Sequence, residues 1–289
     1  MSSTPNHDDV NLRSLGPIEA KLFLDVVAQG KSSLTTDEAI AVFGHEDRAR
    51  NAIKRLVSKG WLQSVGGGRY VVLPPAWGSE KFEDFDIYVL ASASADVGYV
   101  GWWGAASRHG MTTQVPGELT VATDRQMPRK ILQGNVVRYV KLSPKKFFGW
   151  QEMESMGRTF RASTPEKTIV DCVDRPELCG GPTELAVIVA NGSRGVSDEA
   201  LVETAIQHGS VSVAQRLGFL LDLYSPNYLG DAARSALRSV IPASARSVFG
   251  GQERLPDHIG YEREWGLLVN ITEADLLAEV GSYTWGMRR

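Results

Sequence analysis

The chain has 289 residues, 43% hydrophobic and 22% charged, with a formal net charge of −3. That length and composition belong to a globular protein of two domains or one large one, with ample core. The acidic balance excludes nucleic-acid binding through global basicity, so any such binding has to come from a local patch.

The first residues, "MSSTPNHDDVN", lack the basic and apolar regions of a signal peptide. Residues 1–14 are expected to be a disordered tail. No apolar run approaches the ~20 residues that span a bilayer, and a cytoplasmic location is expected. Cys172 and Cys179 stand in "DCVDRPELCGG", a spacing that fits neither a redox pair nor a zinc knuckle. They are read as reduced structural thiols, although spacing does not decide their redox state. The five histidines are scattered, and neither a metal nor a cofactor is expected.

Beyond the tail, "GPIEAKLFLDVVAQG" sets Leu22, Phe23, Val26 and Val27 on one helical face. "LTTDEAIAVFG" predicts a shorter helix capped by Thr35 or Thr36 and ended by Gly44. "EDRARNAIKRLVSKG" predicts a third, and "WLQSVGGGRYVVLP" a hairpin. Pro74 and Pro75 mark the expected end of a first domain over 15–75.

On the third helix, Ala49, Ile53, Leu56 and Val57 form an apolar stripe at 100° per residue. Arg48, Asn51 and Arg55 lie opposite, flanked by Lys54, Ser58 and Lys59. Arginine reads guanine and asparagine reads adenine in the major groove, while lysine serves phosphates. Three helices, a tight "FGHED" link and a following hairpin make a winged helix-turn-helix the expected first domain. Arg48, Asn51, Lys54, Arg55, Ser58, Lys59 and, at the hairpin, Arg69 are the candidate DNA contacts. A phosphate-binding loop would open a helix, whereas Gly66–Gly67–Gly68 stands between two strand patterns.

The remainder, 76–289, is expected to be a larger mixed domain whose second half is helical, so the class is α+β in two domains. Helices are expected at "DIYVLASASA", "YVGWWGAASRHG", "STPEKTIVDCV", "TELAVIVAN", "SDEALVETAIQHG", "SVAQRLGFLLDLY" and "GDAARSALRSVI". Strands are expected at "ELTVATD", "NVVRYVKLS", "GRTFRAS" and "EWGLLVNI". Two enzyme-like constellations are weak. Gly78-Ser79 with Asp84 and Asp86 imitates a nucleotidyltransferase site, yet the gap is short and the acids suit a helix start. Ser107, His109 and Gln114 lie close together, but a nucleophile needs a third orienting group. No catalytic residue is assigned, and the chain is not expected to be an enzyme.

Three segments in order carry a family likeness: "GYVGWWGAASRHGMTTQVP", "RASTPEKTIVDCVDRPELCGG" and "QRLGFLLDLY". Preceded by a winged helix, this order resembles the AbiEi antitoxin family of bacterial abortive-infection and toxin–antitoxin operons. The resemblance implies a winged helix that represses the chain's own operon at inverted repeats. It also implies a C-terminal domain over 76–289 that counters a cognate AbiEii-type nucleotidyltransferase toxin, with or without stable contact. The residues alone leave open a one-component regulator whose C-terminal domain senses a small molecule.

Overall fold

The computed structural model describes residues 14–73, 86–250, 260–272, 274–276 and 280. The tail at 1–13, the Pro74–Pro75 boundary and the Gly78, Ser79 and Asp84 positions lie outside the described residues. The chain is mixed α+β and divides into two compact units. The first takes residues 1–96, 130–135 and 153–160, and the second takes 97–129, 136–152 and 161–289.

In the first unit, α1 (Pro17–Ala28), β1 (Ser33–Thr35), α2 (Thr36–Phe43) and α3 (Glu46–Ser58) are followed by β2 (Leu62–Gly66) and β3 (Arg69–Val72). Thr35 caps α2 in a reciprocal box with Glu38, satisfying two helix-start amides. The three strands form a sheet in the order β1-β3-β2, antiparallel throughout. Strand β1 has no counterpart among the sequence expectations. Three residues are too few to show a period of two, and β1 exists because Ser33–Thr35 pairs with Arg69–Val71. The turn between β2 and β3 holds Gly66, Gly67 and Gly68 at φ of 77°, 65° and 71°. Only glycine takes three consecutive left-handed positions without strain, which is the physical reason for the triplet. The Gly68 carbonyl accepts the Thr36 N–H at 2.8 Å, fastening this turn to the start of α2. From the 130–135 segment, which contains β6 (Lys130–Leu132), Lys130 Nζ donates to the Val65 and Ser94 carbonyls, each at 3.1 Å.

The core of this unit gathers Leu22, Phe23 and Val26 of α1, Ala49, Ala52, Ile53 and Leu56 of α3, and Trp61. The buried stripe of α3 is therefore centred nearer Ala52 than expected, and Val57 is only partly covered. The Trp61 and Phe23 rings meet edge to face at 4.7 Å. Helix α4 (Ile87–Ala93) opens at Asp86, whose Oδ1 accepts the Tyr88 N–H at 2.8 Å. Asp86 is thus a helix-capping acid, as the sequence expects.

The second unit contains β4 (Gly98–Val100), β5 (Glu118–Thr123), β7 (Asn135–Lys141) from residue 136 on, and β9 (Arg158–Ser163) from residue 161 on. Strand β5 runs antiparallel to β4 and parallel to β7, and β4 is parallel to β9. "YVGWWGAASRHG" is split rather than one helix: β4 ends and α5 (Trp102–Arg108) begins at once. The pivot is Trp102, buried and held at φ 50°. A left-handed aromatic residue costs about 1–3 kcal/mol and persists only where packing over-determines it.

Helices α6 (Pro165–Asp174), α7 (Pro182–Gly192), α8 (Asp198–His208), α9 (Val211–Tyr224) and α10 (Asp231–Ser239) follow. Leu185 to Ala190 of α7 are all buried, as a helix that is apolar all round requires. A small sheet of β10 (Ser247–Gly250), β12 (Leu267–Asn270) and β11 (Gly260–Glu262) closes the chain order, with β10 parallel and β11 antiparallel to β12. No helix among the described residues is long and apolar enough to cross a membrane.

Candidate functional site

The outward face of α3 follows from its amphipathic pattern, and its side chains separate into two groups. Arg48, Asn51 and Lys54 are exposed and take part in no ion pair among the described residues. The Arg48 guanidinium rests 5.5 Å from the Phe43 ring, which braces it at the α2 side. Lys59 and Arg55 turn toward α1, where Glu19 is buried: Lys59 Nζ lies 3.3 Å and Arg55 Nη1 3.8 Å from its Oε1. A backbone amide at the helix start, then Lys59 and Arg55, hold the Glu19 carboxyl below its ordinary range against the effect of burial. Ser58 Oγ donates to the Arg55 carbonyl at 2.9 Å, so its hydroxyl is spent on its own helix.

Arg69 is not at the turn tip. It is the first residue of β3, mostly covered, and paired with Asp96. Sequence reasoning missed a groove of about 340 Å³ between α3 and the β2–β3 pair, lined by Arg50, Lys54, Val57, Ser64 and Tyr70. Thr36, at the start of α2, also lines it. Arg50 is tied to Glu46 one turn earlier at 2.6 Å, while Lys54 faces the groove without an ion-pair partner among the described residues. The signal for this groove is the i, i+4 spacing of Arg50 and Lys54, which puts both on one side of the helix.

In the second unit, the segments that carry the family likeness are knitted together. His109 Nε2, at the end of α5, lies 2.8 Å from the Ser163 carbonyl. Burial lowers the His109 pKa against the pull of that bond, so the ring is neutral at pH 7 and donates to the carbonyl. The bond ties the end of α5 to the residue before the α6 cap. Thr164 caps α6 through the Lys167 N–H at 3.3 Å, which puts Lys167 at the third helical position. Thr168 Oγ1 returns to the Thr164 carbonyl at 2.8 Å.

Lys167 itself is fully buried and bonded to Asp171 one turn on, with its Nζ 5.0 Å from the Phe148 ring and 5.9 Å from that of Tyr99. Burial pushes the Asp171 carboxyl up, against the pull of Lys167. Thr112 bonds Glu184 of α7. Arg216 reaches the Val173 carbonyl at 3.2 Å and that of Val248 at 3.1 Å. Gly218 is glycine because a Cβ there would overlap the Trp265 ring, whose Nε1 donates to Asp222 at 2.8 Å.

Cys172 and Cys179 are free thiols, both buried, and burial raises the Cys179 pKa well above its ordinary value. Among the described residues, no group of three or more His, Cys, Asp or Glu side chains could hold a metal ion.

No curated protein matches the sequence. Among solved structures, the RV2827C protein from Mycobacterium tuberculosis superposes with a TM-score of 0.58 at 17% identity, covering 93% of this chain and 96% of that one. At that identity the likeness is one of fold. Residues 99–223 match the model of the AbiEi antitoxin C-terminal domain, a range that spans all three motif segments apart from their outermost residues. Over residues 99–223 the chain is thus similar to the C-terminal domain of AbiEi antitoxins.

Proposed function

We propose that the chain is a DNA-binding antitoxin of a toxin–antitoxin operon. Its first unit acts as a winged helix-turn-helix that represses the operon, and the AbiEi domain counters the cognate nucleotidyltransferase toxin in the cytoplasm. The observation that carries the DNA half is the exposed Arg48, Asn51 and Lys54 face of α3, continuous through Lys54 with the groove beside β2 and β3. A helix laid in the major groove would present Arg48 and Asn51 to base edges. A phosphate strand following the groove would meet Lys54 and the hydroxyls of Ser64 and Thr36. Two such units on one duplex would read an inverted repeat, as a dimer or as cooperating monomers. The antitoxin half rests on the family of residues 99–223.

Fluorescence anisotropy with DNA from the chain's own promoter tests the first half. Binding should weaken steeply with salt, with a slope near −0.9 in log K against log salt for each phosphate contact. Salt-insensitive or absent binding across the upstream region would refute it. Co-expression of the adjacent gene's toxin with the full chain, and with a chain ending at Pro75, tests the second half. Rescue of growth by the full chain alone is the expected result.

A further inference from the structure

The second unit carries a basic cleft that DNA reading by α3 does not use. It occupies about 430 Å³ between the link at 126–129, residues 138–141 of β7, and Arg175 at the end of α6. Four cations line it: Arg129, Arg138, Lys141 and Arg175. Among the described residues, two carboxylates pair with them. Glu118 is shared between Arg129 at 3.5 Å and Arg138 at 3.8 Å, and Glu177 takes Arg175 at 2.9 Å. Lys141 is exposed and has no partner among the described residues.

The surplus of two positive charges is local to this face. From Arg125 to Gln151 the chain holds seven Lys or Arg and no Asp or Glu, in a protein whose net charge is −3. Lys146 is committed to Asp174 at 2.7 Å, whereas Arg129, Arg138 and Lys141 line the cleft. Guanidinium forks together with an ammonium are the recognition chemistry of phosphate oxygens. A pocket of this size, polar instead of apolar, suits a charged ligand larger than a single ion.

We propose that this cleft binds phosphate esters, supplied either as a free nucleotide or as the exposed phosphates of a single nucleic-acid strand. The two charges of a terminal phosphate would balance the surplus and draw Arg129 and Arg138 away from their long contacts with Glu118.

The test uses the full chain, with anisotropy of fluorophore-labelled ATP and of a labelled short single-stranded oligonucleotide. Lys141→Glu and Lys141→Ala are compared with Lys54→Glu, which alters only the α3 face. Lys141 is exposed and unpaired, so its variants should fold, as a thermal melt would verify. ATP, the oligonucleotide or both should bind the wild type. Lys141→Glu should weaken that binding by on the order of tenfold or more, Lys141→Ala by less, and Lys54→Glu not at all for ATP. Binding of ATP alone identifies nucleotide as the source, and binding of the oligonucleotide alone identifies the strand. The proposal is overturned if neither probe binds below the millimolar range, if Lys141→Glu binds as the wild type does, or if poly-glutamate competes as well as ATP. Promoter binding by α3 is read separately through Lys54→Glu, so either idea can fail without the other.

Discussion

Lys59 Nζ lies 3.3 Å from Glu19 Oε1, joining the end of α3 to the first turn of α1 across 40 residues of sequence. A basic residue that the helical wheel offers to DNA is thereby a buried carboxylate's counter-ion. Its role in the first unit is to neutralise Glu19 and fix the angle between the two helices.

This pairing makes Glu19 a pH-sensitive element of stability. Its carboxyl titrates below the ordinary 4.5 in the folded protein. A depressed carboxylate contributes its stabilisation in full above the unfolded value and loses it as pH falls through the folded one. Glu19→Gln should cost about 1–3 kcal/mol at pH 7, where Lys59 and Arg55 lose a charged acceptor. The variant should also lose less stability than the wild type between about pH 5 and pH 3. Urea unfolding at a series of pH values measures both effects.

The same geometry separates the cations of α3 by function. Lys54→Ala should reduce the salt slope of promoter binding by about 0.9 and leave the melting temperature close to that of the wild type. Arg48→Ala should weaken specific binding by about 1–3 kcal/mol if Arg48 reads a base. Lys59→Ala should instead lower the melting temperature, with a smaller effect on the salt slope. Equal slopes in Lys54→Ala and wild type would remove Lys54 from the interface.

In the second unit, Lys167 and Asp171 form a pair with almost no solvent exposure. Removing one partner leaves a buried charge uncompensated and should cost about 3–5 kcal/mol. Lys167→Met or Asp171→Leu alone is therefore expected to be severely destabilised. The Lys167→Met/Asp171→Leu double variant should recover much of the loss. A double-mutant cycle read by chemical denaturation checks this, and additive single effects would contradict it.

Cys172 and Cys179 are buried, and the Cys179 thiol stays protonated at neutral pH. Since the thiolate is the nucleophile, both should resist iodoacetamide in the native state and react promptly in denaturant. Fast native labelling, followed by mass spectrometry, would show that the covering helices open readily.

Several elements were legible because their determinants are local. The 3.6-residue spacing of α3, the Thr35–Glu38 box and the Gly66–Gly68 turn each depend on a few neighbouring residues. Strand β1 was not legible, because three residues become a strand only through β3. Strand β4 was hidden in an apolar run that reads equally well as helix, until Trp102 reverses the chain's hand. The polar β8 (Trp150–Ser155), "WQEMES", has no apolar alternation to announce it. The basic cleft did leave a trace in the acid-free run from 125 to 151, but a run of charge gives no hint of which side chains converge.

The sequence by itself determined the amphipathic face of α3 and the motif order that matches an AbiEi model over residues 99–223. These rest on periodicity and motif order, which survive in one dimension. Tertiary structure alone decided which charges remain available. Glu19 claims Lys59 and draws in Arg55, Asp96 claims Arg69, and residues from 126 to 175 assemble one cleft. The physical reason is that an ion pair forms wherever folding brings opposite charges within a few ångströms. That proximity depends on packing between elements far apart in the chain.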